Sequence, residues 1–167
     1  MIIERLVFFR MKLKVLFITT LLLVILTATV AAKPVITADS TYFDINTGQY
    51  ILSGNVHIEV GSRVITAGNA KVSMISKEVW GSDGVTVTQG DIYFTGSTVY
   101  VNGNQNTAQI DGGVSFSRNE LQITANNVEY NWRTKLASFN GNVQVAQNGN
   151  TWTTNTLTYD LRANTIL

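Results

Sequence analysis

The chain has 167 residues, 45% hydrophobic and 14% charged, with twelve Lys/Arg against eleven Asp/Glu, one histidine and no cysteine. So even a charge balance leaves no basic footprint for a nucleic-acid partner. The missing cysteines exclude disulfide staples, thiolate metal sites and Cys nucleophiles.

In chain order, Arg5, Arg10, Lys12 and Lys14 precede an apolar run from Val15 to Val30, and Ala31 and Ala32 then meet Lys33. That is the three-part layout of a secretory signal. Small residues at Val30 and Ala32 place cleavage after Ala32, and Met11 offers a second start with a more compact basic end. The competing reading is an uncleaved helix anchoring the protein to the inner membrane, for which a run broken by Thr19, Thr20, Thr27 and Thr29 is marginal. Residues 1–32 are therefore expected to be a signal peptide and 33–167 the exported domain. Without the leader, eight Lys/Arg face ten Asp/Glu, so the slightly basic isoelectric point belongs to the leader. A remainder of 135 residues can bury one core without staples.

That remainder repeats itself. Val56, Val85, Val114 and Val143 each follow a turn residue at a constant spacing of 29. Ile36, Ile65, Phe94, Ile123 and Trp152 keep the same spacing, and each is followed by threonine. Further apolar columns run through Thr41, Ala70, Val99, Val128 and Leu157, through Phe43, Val72, Val101, Tyr130 and Tyr159, and through Ile58, Val87, Phe116 and Val145. Polar columns hold as well, as in Asp44, Ser73, Asn102, Asn131 and Asp160. About four and a half copies fill the domain.

Within each copy apolar and polar residues alternate, as in Val56-His57-Ile58-Glu59, which predicts half-buried strands. Turn signals at Asp44–Gly48, Ser53–Asn55, Gly61-Ser62 and Gly68-Asn69 cut the first copy into four short runs. No 3.6-residue period follows the leader, and β-branched residues dominate, so the domain is expected to be all-β. Stacking of copies at the strand spacing of about 4.8 Å would join the columns into one apolar seam with open edge strands at both ends.

The segments ITADSTYF (Ile36 to Phe43), YILSGNVHI (Tyr50 to Ile58), ITAGNAKV (Ile65 to Val72), ITANNVEY (Ile123 to Tyr130) and FNGNVQV (Phe139 to Val145) resemble the OstA/LptA-type organic-solvent-tolerance domain of lipopolysaccharide export. The resemblance covers nearly all of the domain. It implies a repeat-built, half-open β-jelly-roll in the periplasm, with acyl chains in an apolar groove. It also implies edge-to-edge joining with other OstA-like domains of the export machinery, or head-to-tail with copies of itself. The residues alone leave a closed β-solenoid open as the alternative fold.

His57 shares its column with Thr86, Ser115 and Gln144, which makes it a solvent-facing strand residue and leaves no Ser-His-Asp set. Asp83 and Asp111 lie beside glycines as turn residues rather than as an acid pair for glycoside hydrolysis. No catalytic residue, metal site or cofactor is expected. The residues expected to line a lipid groove are Val56, Ile58, Ile65, Val72, Val85, Val87, Phe94, Val99, Val101, Val114, Phe116, Ile123, Val128, Tyr130, Val143, Val145, Trp152, Leu157 and Tyr159. Arg133, Lys135 and Arg162 are the candidates for a rim facing lipid phosphates. The function expected is a non-enzymatic carrier of lipopolysaccharide or a similar lipid between inner and outer membranes; the alternative is a structural or adhesive envelope repeat.

Overall fold

The computed structural model describes residues 33–167; the leader, the Met11 start, the cleavage after Ala32 and the anchoring helix all fall outside the described residues. Thirteen antiparallel strands form one continuous sheet. They are β1 (Val35–Thr37), β2 (Ser40–Asp44), β3 (Gln49–Val60), β4 (Arg63–Ser73), β5 (Glu78–Ser82), β6 (Val85–Gln89) and β7 (Ile92–Gly96). There follow β8 (Thr98–Asn102), β9 (Thr107–Arg118), β10 (Leu121–Asn131), β11 (Leu136–Gln147), β12 (Asn150–Asp160) and β13 (Thr165–Ile166). No helix occurs among the described residues.

The sheet is folded lengthwise into two facing leaves, and the fold line is written in backbone dihedrals. Gly54-Asn55, Asp83-Gly84, Gly112-Gly113 and Gly141-Asn142 each place two successive residues at positive φ, between 48° and 84°. Only glycine, asparagine and aspartate take that conformation cheaply. At these points β3 and β11 slip register between Ser53 and Val56 and between Asn140 and Val143, and the strand bends from one leaf into the other. The returning crossings at Asp39, Gly68, Ser97 and Asn126 nest against the bends. Asn55 Nδ2 donates to Asp39 Oδ2 at 2.8 Å, Ser97 Oγ donates to the Gly112 carbonyl at 2.8 Å, and Asn142 Nδ2 donates to Asn126 Oδ1 at 3.3 Å.

The first leaf carries the four-residue turns 45–48, 74–77, 103–106, 132–135 and 161–164, closed by positive φ at Gly48, Lys77, Asn106, Lys135 and Asn164. The polar column before each turn is now explained. Asn102 Oδ1 accepts the Asn104 and Gln105 N–H groups, Asn131 Oδ1 those of Arg133 and Thr134, and Asp160 Oδ1 those of Arg162 and Ala163. The Asn46 N–H and Thr47 hydroxyl hold the Asp44 carboxyl below the usual carboxylate range, and the Ala163 and Arg162 N–H groups do the same for Asp160. The second leaf carries two-residue turns whose first residue is Gly61, Gly90, Asn119 or Asn148, all at positive φ as tight hairpins require.

The pairing corrects the expected stacking. The Ile36 column and the Ile58 column interleave into one ladder, running Ile36, Ile58, Ile65, Val87, Phe94, Phe116, Ile123, Val145, Trp152. Members of one column are therefore two strands apart, about 9.5 Å rather than one strand spacing. Gly68-Asn69, expected to be a turn, lies inside β4 at a crossing between leaves. The inward faces bury a core that includes Val56, Val85, Ile110, Phe116, Ile123, Phe139 and Tyr159.

Replacing Phe116, which is fully buried, removes an aromatic from the centre of this core. Phe116→Ala is expected to lower unfolding stability by about 3–5 kcal/mol in urea denaturation. A loss under about 1 kcal/mol would show that the leaves are not packed against one another there.

Candidate functional site

A cavity of about 390 Å³ lies between the leaves in the N-terminal half. Its second-leaf wall is Ile36, Ile58, Ile65, Val87, Ile92 and Phe94; its first-leaf wall is Val72, Val79, Val101, Ala108 and Tyr130. Strand alternation puts these side chains inward while Glu59, Lys71 and Tyr93 point out. The lining reaches the turn tips of both leaves, at Val60, Arg63 and Gln89 on one side and Met74, Lys77, Gly103 and Trp132 on the other. None of the bend residues on the fold line contributes to it. The space is thus a wedge, closed at the fold line and opening between the tips. Its volume falls at the lower end of the range for small-molecule pockets, about 300–1,000 Å³.

Three charged residues border it: Arg63, Lys77 and Glu78. The Arg63 guanidinium sits 4.8 Å from the centre of the Trp132 ring, a cation–π contact from one leaf to the other. Glu78 is held below the usual carboxylate range by hydrogen bonds from Ser76 and Tyr100. One strand farther along the row of tips, the Tyr130 hydroxyl, in a side chain only 2% exposed, donates to Gln89 Oε1 across the leaves at 2.9 Å. Burial pushes the Tyr130 hydroxyl above the ordinary phenol range. Beyond it, Arg118 of the second leaf binds Asp91 at 2.7 Å and donates to the Leu161 carbonyl on a first-leaf turn. Among the described residues no group of His, Cys, Asp and Glu could hold a metal ion.

Of the nineteen residues expected from sequence to line a groove, seven border the cavity: Ile58, Ile65, Val72, Val87, Phe94, Val101 and Tyr130. Val56, Val85, Val99, Val114, Phe116, Ile123, Val128, Val143, Val145, Leu157 and Tyr159 are buried away from it, against other side chains. Trp152 stays 39% exposed near the last edge of the second leaf. Arg133, Lys135 and Arg162 occupy the turns 132–135 and 161–164 and do not border the cavity. The cations that do are Arg63 and Lys77, which the sequence had not singled out. Their signal was their place at turn tips, which the folding of the sheet turns into a rim. His57 lies on the outer face, 40% exposed and 3.8 Å from Glu59.

Comparison with known proteins bears on the family and the fold. The model of the family described as LptA/(LptD N-terminal domain) LPS transport protein matches residues 35–165. Among solved structures, the chain is similar to LptH, the LptA homologous periplasmic component of the lipopolysaccharide transport device from Pseudomonas aeruginosa, with a TM-score of 0.56 and 16% identity. That match covers 60% of this chain and 76% of the other. No curated protein matches by sequence.

The Arg118 hydrogen bond holds the Asp91 carboxyl below its ordinary 3.8, against an opposing desolvation effect. A lowered folded-state pKa adds stability above the unfolded value and loses it as pH falls through the folded one. Asp91 is half exposed, so solvent screens the pair. A double-mutant cycle of Arg118→Met and Asp91→Asn is expected to give a coupling of about 0.5–1 kcal/mol at neutral pH. The coupling should fade as the solution is acidified below about pH 4. Coupling that stays constant into strong acid would mean that the carboxylate charge contributes nothing.

Proposed function

The chain belongs to the LptA/(LptD N-terminal domain) LPS transport protein family, and from that membership we propose that it holds lipopolysaccharide or a similar acyl lipid by the acyl chains, in the cavity between its leaves. The observation that carries the reading is the cavity itself: Ile, Val and Phe walls, with Arg63 and Lys77 at the tips where an anionic headgroup would emerge. Desolvation of chain and wall supplies the attraction, at about 25 cal/mol per Å² buried. It is non-directional, so cargo can slide and leave. No covalent step is needed, and the role is transport without catalysis.

The reading includes a half-open β-jelly-roll of about four and a half 29-residue copies, working in the periplasm between the two membranes. Edge-to-edge assembly with other OstA-like domains, or head-to-tail with a second copy, is supported by the two ends of the sheet. The outer side of β2 is unpaired, with Tyr42 60% and Phe43 50% exposed. At the other end Asn150 to Asn155 of β12 are exposed and pair only with β11. Strand addition at such edges is a common way for sheets to join. A structural or adhesive envelope repeat is the second reading, favoured by the near-complete side-chain burial in the C-terminal half.

All thirteen strands and the whole buried core lie within 33–167, so this fragment carries the complete described fold. It is expected to bind a hydrophobic fluorophore saturably and to release it to added lipopolysaccharide. Val101→Asp, which sets a carboxylate in the apolar wall, should weaken binding by about tenfold or more, roughly 1.4 kcal/mol. Folded protein with no saturable binding would favour the structural repeat.

A further inference from the structure

The inward columns do not keep their size along the chain. In the first leaf, Val72 and Val101 give way to Tyr130 and Tyr159, and Gly81 and Ile110 give way to Phe139. In the second leaf, Ile58 and Val87 are followed by Phe116, and Ile65 by Phe94. The five aromatics meet at the middle of the sandwich. Ring centres are 4.8 Å apart for Phe94 and Phe116, 5.5 Å for Phe94 and Tyr130, 5.6 Å for Phe116 and Phe139, and 5.6 Å for Phe116 and Tyr159. All five are at most 2% exposed. The cavity stops at the near face of this cluster: Phe94 and Tyr130 border it, while Phe116, Phe139 and Tyr159 do not.

The ties between leaves change in the same direction. Residues 41 apart face one another across the sandwich, as Gln89 and Tyr130 do through their hydrogen bond. One repeat earlier the pair is Val60 and Val101, both bordering the cavity and unable to bond. One repeat later it is Arg118 and Tyr159, and there the guanidinium holds Asp91 and donates to the Leu161 carbonyl on the facing leaf. From the N-terminal end inward these facing pairs are therefore unbonded, then hydrogen-bonded, then clasped by a charge; the Arg63–Trp132 cation–π contact touches across the tips at the open end without filling the space between the walls.

We infer that the groove is blind: an alkyl chain enters at the N-terminal end and stops at Phe94 and Tyr130, with the Gln89–Tyr130 bond and the aromatic cluster setting the depth. This rests on the lipid-carrier reading and goes beyond it. An apolar channel of constant width would pass a chain from one end of the domain to the other. Here passage requires the aromatic cluster to part and the Arg118 clasp to open, so Phe94 and Tyr130 determine which chain lengths are fully sheltered. The closed half is then the domain's rigid part and the open half its receptor.

The test is a length series on the full chain: octanoyl and palmitoyl probes, each carrying a diazirine at the methyl end, are photolysed and the labelled residues mapped by mass spectrometry. A blind groove is expected to give both probes the same label sites, at Val87, Phe94, Val101 and Tyr130. Label at Val145 and Leu157 should be at least about tenfold weaker, the ratio that a 1.4 kcal/mol preference gives. The triple variant Gln89→Val, Phe94→Ile, Tyr130→Val copies the preceding repeat into the stop. It should carry the palmitoyl label onward to Phe116 and Val145 while leaving the octanoyl label in place. Palmitoyl label at Val145 or Leu157 of the native chain, comparable to that at Val101, would overturn the blind groove and leave the carrier reading standing. Absence of label from every inward column of both leaves would overturn the two together. The native map decides between these outcomes even if the triple variant does not fold.

Discussion

Everything in this fold depends on two residues in succession taking the left-handed backbone conformation, four times over, at 29-residue intervals. The clash of a Cβ with the backbone there costs about 1–2 kcal/mol, which glycine avoids and which asparagine and aspartate offset by local hydrogen bonds, so Gly-Asn, Asp-Gly, Gly-Gly and Gly-Asn occupy the sites. Without the paired bend each long hairpin would continue flat, with one apolar face open to water. With it, the strand turns back over itself and the two halves of its apolar face meet. The nesting is close: a Cβ on Gly112 would come within 2.6 Å of the Ser97 Cβ, so the returning crossing leaves no room for a larger residue.

A sheet folded along a line is a wedge, and the contents of a wedge are set by side-chain volume. Where the inward columns carry valine, isoleucine, alanine and glycine, the leaves cannot fill the space near their tips and the cavity remains. Where the same columns carry phenylalanine and tyrosine, the rings reach across and pack at interior density. Stability and binding capacity are thus divided along the chain rather than superposed. The C-terminal half contributes most of the fully buried side chains, and the N-terminal half keeps an apolar surface that a ligand can cover.

Much of this was legible in the sequence because period is a strong signal. The 29-residue columns identified the strands, the alternation within Val56 to Glu59 identified the inward face, and most of the residues bordering the cavity come from that face or from the turns at its tips. The interleaving of two columns into one ladder was not legible, since a column fixes phase along the chain but not which strand lies next to it. Nor was the division between groove and core. Val87 and Val145 are the same residue type in the same column, yet one borders a cavity and the other is 1% exposed among aromatic neighbours. Distinguishing them needs the volumes on the facing leaf. Arg63 and Lys77 escaped for a related reason: a basic residue at a turn tip reads as solvated until the fold places that tip beside an apolar opening.

The two ends of the domain are consequently not interchangeable. At the first edge the strand beside the opening is short β1, Ile36 borders the cavity, and Tyr42 and Phe43 lie exposed on β2. At the last edge the leaves are held by Arg118, and the outer strand offers mainly asparagine and threonine, from Asn150 to Thr156. A sheet can be extended by strand addition at either edge, because backbone hydrogen bonding is indifferent to side chains. Apolar continuity is not indifferent: a partner added at the first edge lengthens the cavity wall, whereas one added at the last edge meets a packed core. In any array of such domains joined in one direction, each junction would set an open end against a closed one, an asymmetry that follows from side-chain volume alone.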